Sequence, residues 1–258
     1  MFAGLPVGDF SFAGRWPVIQ SASMKENVIK EIAWVGSDYV QGKINGVILT
    51  FHGLGGGSKG ALGTEEMEWA AKGGLVVFPY YGPWAWMNRQ ARAMIDELVD
   101  ALYLKHGLSD DVPLICVGGS MGGQGSLLYT RYAKRPVRAC YANCPVCDLE
   151  YHFHERPDLP PTVRHAMGYP DDMQPMLTEH SPLQQVSAMP DIPYLIIHGG
   201  KDTAVNKQHH SDKLVAAMRA RKMNVEYIEV PGMGHCGPLP LNVVNRSIEF
   251  ITAAMGQH

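Results

Sequence analysis

Five short runs of the chain carry apolar residues on both faces: Val47–Phe51, Leu75–Phe78, Leu114–Val117, Val137–Tyr141 and Tyr194–Ile197. Runs of this length and character predict strands buried inside a parallel sheet. Val225–Val230 predicts a further strand. Val28–Val35 alternates between apolar and polar positions and predicts an antiparallel edge strand.

Helical spacing fills the gaps between these runs. Met87, Ala91, Met94, Ile95, Leu98, Val99 and Leu102 recur on one stripe, with Gly107 as the stop. A second helix is predicted from Met121 to Lys134, ending before Pro136. A third is predicted over Asn206–Arg221, and a fourth after Pro240 with Val244, Ile248, Ile251 and Met255 on one face. Strand–helix alternation of this kind predicts a mostly parallel sheet covered on both faces. One segment, residues 144–193, breaks the rhythm: it is rich in proline, histidine and acids and has no clear period. Inside a compact domain such an insertion is expected to be a cap or lid. The whole chain, 1–258, is read as one domain carrying it.

Composition narrows the classes. A net charge of −3 without blocks of like charge argues against a nucleic-acid binder. No apolar run approaches the length of a membrane span. The N-terminus lacks the basic start and apolar core of a signal peptide. The cysteines, Cys116, Cys140, Cys144, Cys147 and Cys236, are odd in number and form no framework, which predicts reduced thiols and a cytoplasmic location. Cys144 and Cys147 make a C-x-x-C, and His152 and His154 an H-x-H, but neither has companions at zinc spacing, so no metal is expected.

The chemistry is announced by the stretch VGGSMGGQG, Val117–Gly125. Gly118-Gly119-Ser120-Met121-Gly122 fits G-x-S-x-G between a strand and a helix, the arrangement that lifts a nucleophilic serine to the carboxyl edge of a sheet. Small neighbours are required there because the turn brings strand and helix close together. A serine nucleophile needs a base, an orienting acid and an oxyanion site. Asp202 follows the strand at Leu195, and His235 lies in PGMGH after the strand ending at Val230, so the chain order is Ser, Asp, His. Asp148 is a rival for the acid, while His198 is expected to support the loop. The amide of Met121 is one predicted oxyanion donor; the other is the amide of Leu54, or of Gly55, in the loop His52–Gly57. His52 is expected to fix that loop.

Four stretches, HGLGGG, GGSMGG, HGGKD and GMGH, make the sequence resemble the α/β-hydrolase superfamily from about Val47 to the C-terminus. The stretch SPLQQVSAMPDIPYLIIHGGKDTAVNKQ is similar to the catalytic domain of the prolyl oligopeptidase group, with the dienelactone-hydrolase and small-esterase branches also alike. The resemblance implies an α/β-hydrolase fold and a cofactor-independent serine hydrolase. Fewer than fifty residues precede Val47. That is too few for the propeller such peptidases carry, and their oxyanion tyrosine has no clear match. The expectation is therefore a carboxylesterase acting on a small-molecule ester through an acyl-enzyme on Ser120. A small peptidase or amidase is the alternative, and a binding protein on the same scaffold a third reading. Tyr81, Trp84 and Trp86, after the strand ending at Phe78, are expected to wall the substrate site, or, for the tryptophans, to pack beneath the next helix. The stretch YHFHERPDLPP, residues 151–161, is the second expected wall of the pocket: its His152 and His154 are expected to be solvated or to face substrate, and Glu155 and Arg156 to pair with each other in solvent, or else to bind a charged substrate group. The oligomeric state is not legible.

Overall fold

The structure, a computed structural model, describes residues 26–256. The reading of the N-terminus lies outside them. Seven strands form one sheet: β1 (Ala33–Val35), β2 (Gly46–Phe51), β3 (Gly74–Pro79), β4 (Leu114–Gly119), β5 (Val137–Asn143), β6 (Tyr194–Gly199) and β7 (Val225–Val230). Their spatial order is β1-β3-β2-β4-β5-β6-β7. Only β1 runs antiparallel, pairing Ala33 with Pro79 and Val35 with Val77. Because the other six are parallel, their carboxyl ends share one edge, and every loop that leaves that edge faces a common space.

Alternation along the strands divides the core. Val47, Leu49 and Phe51 face one layer with Leu75 and Cys116, while Ile48 faces the other with Val76, Ile115 and Ile197. The first layer is closed by α3 (Arg89–Lys105), α4 (Met121–Tyr132) and α9 (Ser211–Ala220), through Leu98, Leu127 and Leu214. The second is closed by α2 (Thr64–Ala71) and α10 (Leu241–Gly256), through Trp69, Phe250, Ile251 and Met255. Among the described residues, no helix is long and apolar enough to cross a membrane.

Predicted boundaries shift at several elements; α4, for one, ends at Tyr132 rather than Lys134. Most of Val28–Val35 is helix α1 (Glu26–Ile32), and only its last three residues are the edge strand. Within α1, Val28 and Ile32 sit four residues apart beside the buried Ile29, so the same apolar positions satisfy helical spacing. Helix α3 starts after Asn88, whose side chain accepts from the Ala91 amide at 2.9 Å. Helix α9 begins five residues later than predicted, because the Asn206 side chain accepts from Gln208 and His209 amides and holds a turn there instead.

The segment 144–193 folds into four short helices: α5 (Leu149–Glu155), α6 (Leu159–Ala166), α7 (Gln174–Glu179) and α8 (Pro182–Gln185). None exceeds eight residues, which is why it showed no period. Leu149, Phe153, Leu159 and Val163 are buried and continue the first core layer.

Candidate active site

Ser120 stands between β4 and α4 with φ 58° and ψ −126°, a conformation that L-residues rarely adopt. Its amide donates to the Asn143 carbonyl at 2.9 Å. The glycines around it are sterically required. A Cβ on Gly118 would collide with the Gly122 carbonyl, one on Gly122 with the Phe51 carbonyl, and one on Gly123 would lie 2.8 Å from Pro145.

His235 reaches Ser120 from the loop after β7. Its Nε2 lies 2.8 Å from Ser120 Oγ and its Nδ1 lies 2.7 Å from Asp202 Oδ2. An ionised carboxylate only accepts, so Nδ1 carries a proton and Nε2 is left to receive the serine proton. The Asp202 side chain, after β6, is fully buried. Its Oδ1 accepts from the Ala204 and Val205 amides, both at 2.9 Å. His198 Nε2 approaches Oδ2 at 3.3 Å and the Val205 carbonyl at 3.1 Å, and its Nδ1 meets Ser211 Oγ at 2.7 Å. Burial works to raise the Asp202 carboxyl, but hydrogen bonds from His198, His235 and the Val205 amide reverse this and hold it well below the usual carboxylate range. Burial likewise opposes a charged His235. The Asp202 carboxylate and the Cys144 sulfur outweigh it and raise the imidazole to about 9.

The rival acid lies elsewhere. Asp148 Oδ1 caps α5 by accepting from the Tyr151 amide at 3.0 Å. In the loop after β2, the Gly55 amide donates to the Pro83 carbonyl at 2.9 Å, which occupies the alternative oxyanion donor. Leu54 and Met121 both line the cleft that contains Ser120 and His235. His52 stays out of proton transfer: its Nδ1 bonds the Gly53 carbonyl at 2.9 Å, and burial foremost lowers its pKa.

The three aromatic residues separate. Trp86 lines the cleft and is 1% exposed; its indole donates to Thr162 Oγ1 at 3.1 Å. Tyr81 is buried at 8% exposure, stacked on His52, and does not line the cleft. Trp84 is 43% exposed, meets His165 edge-on and does not line the cleft.

The cleft, about 530 Å³, is completed by Gly53, Gly119, His152, Arg156, Leu159, Val205 and Cys236. His152, Arg156 and Leu159 belong to the stretch 151–161 expected to shape the pocket, whereas Val205 and Cys236 lie outside the segments that the sequence assigned to it. Glu155 and Arg156 do not pair as expected. Arg156 holds Asp158, with Nε at 3.0 Å from Oδ1. Glu155 turns inward, where Oε2 meets His152 Nδ1 at 2.6 Å and His210 Nε2 at 3.2 Å, and Oε1 accepts from the Asn206 amide at 3.0 Å. Burial opposes the Glu155 charge, but the two imidazoles prevail and lower it to about 2. His210 Nδ1 accepts from the Cys147 and Asp148 amides, both at 3.1 Å, so its proton sits on Nε2 and that nitrogen cannot ligate a metal. His154 is on the helix face opposite its neighbour His152, because residues two apart diverge.

The arrangement can take a proton from a serine hydroxyl, and Leu54 and Met121, whose amides were expected to meet the oxyanion, border the same cleft. Comparison with known proteins agrees with that chemistry. Residues 89–257 match the prolyl oligopeptidase family. A dipeptidyl aminopeptidase BIII of Pseudoxanthomonas mexicana is 29% identical over 170 residues, which is 63% of this chain and 24% of that protein. Among solved structures, a puromycin-hydrolyzing peptidase of Mycobacterium tuberculosis superposes with a TM-score of 0.66 at 21% identity, covering 84% of this chain and 35% of that one. Esterase B of Lactobacillus rhamnosis superposes with a TM-score of 0.61 at 15% identity, covering 84% and 78%. The chain thus spans about a quarter of the curated relative and about a third of the mycobacterial peptidase. The fold is that of the α/β-hydrolases.

Proposed function

The chain belongs to the prolyl oligopeptidase family, and from that premise we propose that it is a serine hydrolase working through an acyl-enzyme on Ser120, with small carboxylic esters as its substrates. The observation that carries this reading is the unbroken chain of hydrogen bonds from Asp202 through His235 to Ser120 at the mouth of the cleft.

Ser120 Oγ attacks the acyl carbon while His235 Nε2 takes its proton, and Asp202 stabilises the imidazolium that results. The new oxyanion is met by the amides of Leu54 and Met121, with the N-terminus of α4 adding its partial positive charge. His235 then returns the proton to the leaving group, and a water it activates releases the acyl chain. The walls supplied by Trp86, Leu159 and Val205 favour an apolar acyl group, and the volume of about 530 Å³ accommodates a small to medium ester.

A second reading, a peptidase or amidase acting on short substrates, is favoured by the family itself and by the aminopeptidase relative. One experiment separates them: turnover of p-nitrophenyl acetate, butyrate and octanoate beside aminoacyl and Xaa-Pro anilides, for wild type and Ser120→Ala. Ester turnover that vanishes in the variant supports the first reading, and anilide turnover at a higher kcat/KM supports the second. Absence of both, with no labelling by a fluorophosphonate, sinks the serine-hydrolase reading.

A further inference from the structure

Cys144 and Cys147 form the obvious thiol pair in the sequence, yet the structure separates them. Cys147 Sγ is turned to the Pro145 carbonyl at 3.4 Å and is buried. Cys144 instead faces Cys236, ninety-two residues away, whose amide lies 3.4 Å from Cys144 Sγ. The two sulfurs and a ring nitrogen of His235 all lie within 4.8 Å of one another. Both cysteines hold the left-handed conformation, with φ 45° and 46°, which aims two unlike loops at one point. Gly119 makes room for the pair: a Cβ there would come within 3.2 Å of Cys236 Sγ. Cys144 is buried and Cys236 is exposed at the cleft, so one sulfur meets solvent and the other waits behind it.

We propose that Cys144 and Cys236 are a reversible oxidation site, closed to a disulfide by a hydroperoxide, and that closure displaces His235 from Ser120. The consequence for catalysis rests on the function proposed above; the bond itself does not. Hydrogen peroxide oxidises one sulfur to the sulfenic acid as its O–O bond breaks, and one oxygen leaves as water. The second sulfur gives up its proton, attacks the first and expels the other oxygen as water. Two thiols and one peroxide thus become one disulfide and two waters, and a dithiol reverses the change by exchange. A disulfide needs about 2 Å between the sulfurs. Drawing Cys236 inward pulls on the adjacent residue, His235. Chemistry favours this pair over the rest. Hydrogen bonding from Cys236 foremost, opposed by burial and aided by His235, lowers the Cys144 thiol, while the same hydrogen bond and then burial raise Cys236, so Cys144 is the thiolate of the pair; burial foremost pushes Cys116, Cys140 and Cys147 up and leaves them inert.

The test treats the full chain with hydrogen peroxide, traps remaining thiols with iodoacetamide, and maps peptides by mass without reduction. The expected product is two hydrogens lighter, with a single Cys144–Cys236 cross-link that dithiothreitol opens. Fluorophosphonate labelling of Ser120 should fall on the order of 100-fold, as misplacement of a catalytic base by about 1 Å does, and recover on reduction. Cys236→Ser, compared with its own untreated sample, should lose far less. A cross-link between Cys144 and Cys147, or a sulfinic acid on Cys236 with no cross-link, overturns the proposal. So does a cross-linked protein whose labelling is unchanged from a reactive starting sample. If wild type never labels, the cross-link map alone decides the pairing.

Discussion

Tyr81 lies flat on His52, with ring centroids 4.1 Å apart and planes 16° from parallel, and its hydroxyl donates to the His52 carbonyl at 3.1 Å. The stack clamps the loop that carries the Leu54 amide. A buried hydroxyl bonded to a carbonyl contributes about 1 kcal/mol net to the fold, so Tyr81→Phe should lower unfolding free energy by about that amount and, by loosening the loop, lower kcat while leaving KM nearly unchanged. Steady-state kinetics on one ester checks this, and a change confined to KM would place Tyr81 at the substrate instead.

Asp202 fixes the tautomer of His235. Asp202→Asn should reduce kcat on the order of 10⁴-fold with the fold intact by circular dichroism. Asp148→Asn, which alters only a helix cap, should leave kcat within about twofold. The reverse ranking would transfer the acid role.

His235 must be neutral to accept the serine proton. Its raised value means that kcat/KM should climb with pH and level off above about 9. The Cys144 sulfur is one of the groups that stabilise the charged ring, so removing it destabilises the cation. Cys144→Ala should therefore move the acidic limb to lower pH and raise the neutral-pH rate relative to the plateau. A pH profile with an uncharged ester measures both. An unmoved limb would show that Cys144 exerts no field on His235.

Glu155 has the opposite sign. Its carboxyl is lowered to about 2 from an ordinary 4.5, so its contribution to stability is complete above about 4.5 and disappears as pH falls through about 2. Glu155→Gln should lower Tm at pH 7, and the gap to wild type should narrow on acidification. Calorimetry over that range tests it; a constant gap would mean that packing, not charge, is what the carboxylate supplies.

Gly122 and Gly53 flank the same serine with different tolerances. A methyl at Gly122 strikes the Phe51 carbonyl, whereas one at Gly53 finds its nearest neighbour, Ser120 Cβ, at 3.8 Å. Gly122→Ala should destabilise by about 3 kcal/mol or more, and Gly53→Ala by less than about 1 kcal/mol. Thermal unfolding of the two variants gives the comparison directly.

The parts of this molecule that sequence discloses are those governed by short-range pattern and by chain direction. Parallel strands end on one edge, so a serine after β4, an aspartate after β6 and a histidine after β7 converge whatever the loops do. The same logic, applied to β5, would have drawn attention to Cys144. What escaped depends on distant partners or on single torsions. Glu155 looked like a solvated acid because its second histidine is fifty-five residues away. Trp84 and Trp86 are distinguished by a turn in which Trp86 and Met87 both have positive φ, and no residue type at those positions advertises it. The short strand at β1 was misjudged in length because its apolar residues satisfy helical and extended spacing equally.

The carboxylate of Glu155 bonds an imidazole of the cap, the amide of Asn206 and, through His210, the backbone at Cys147 and Asp148. The segment over the cleft is therefore riveted to the very loop that presents Asp202. Lifting α5 away from the cleft would part the Glu155 carboxylate from His210 and from the Asn206 amide, so any widening of the site at this end strains the segment that holds the catalytic acid.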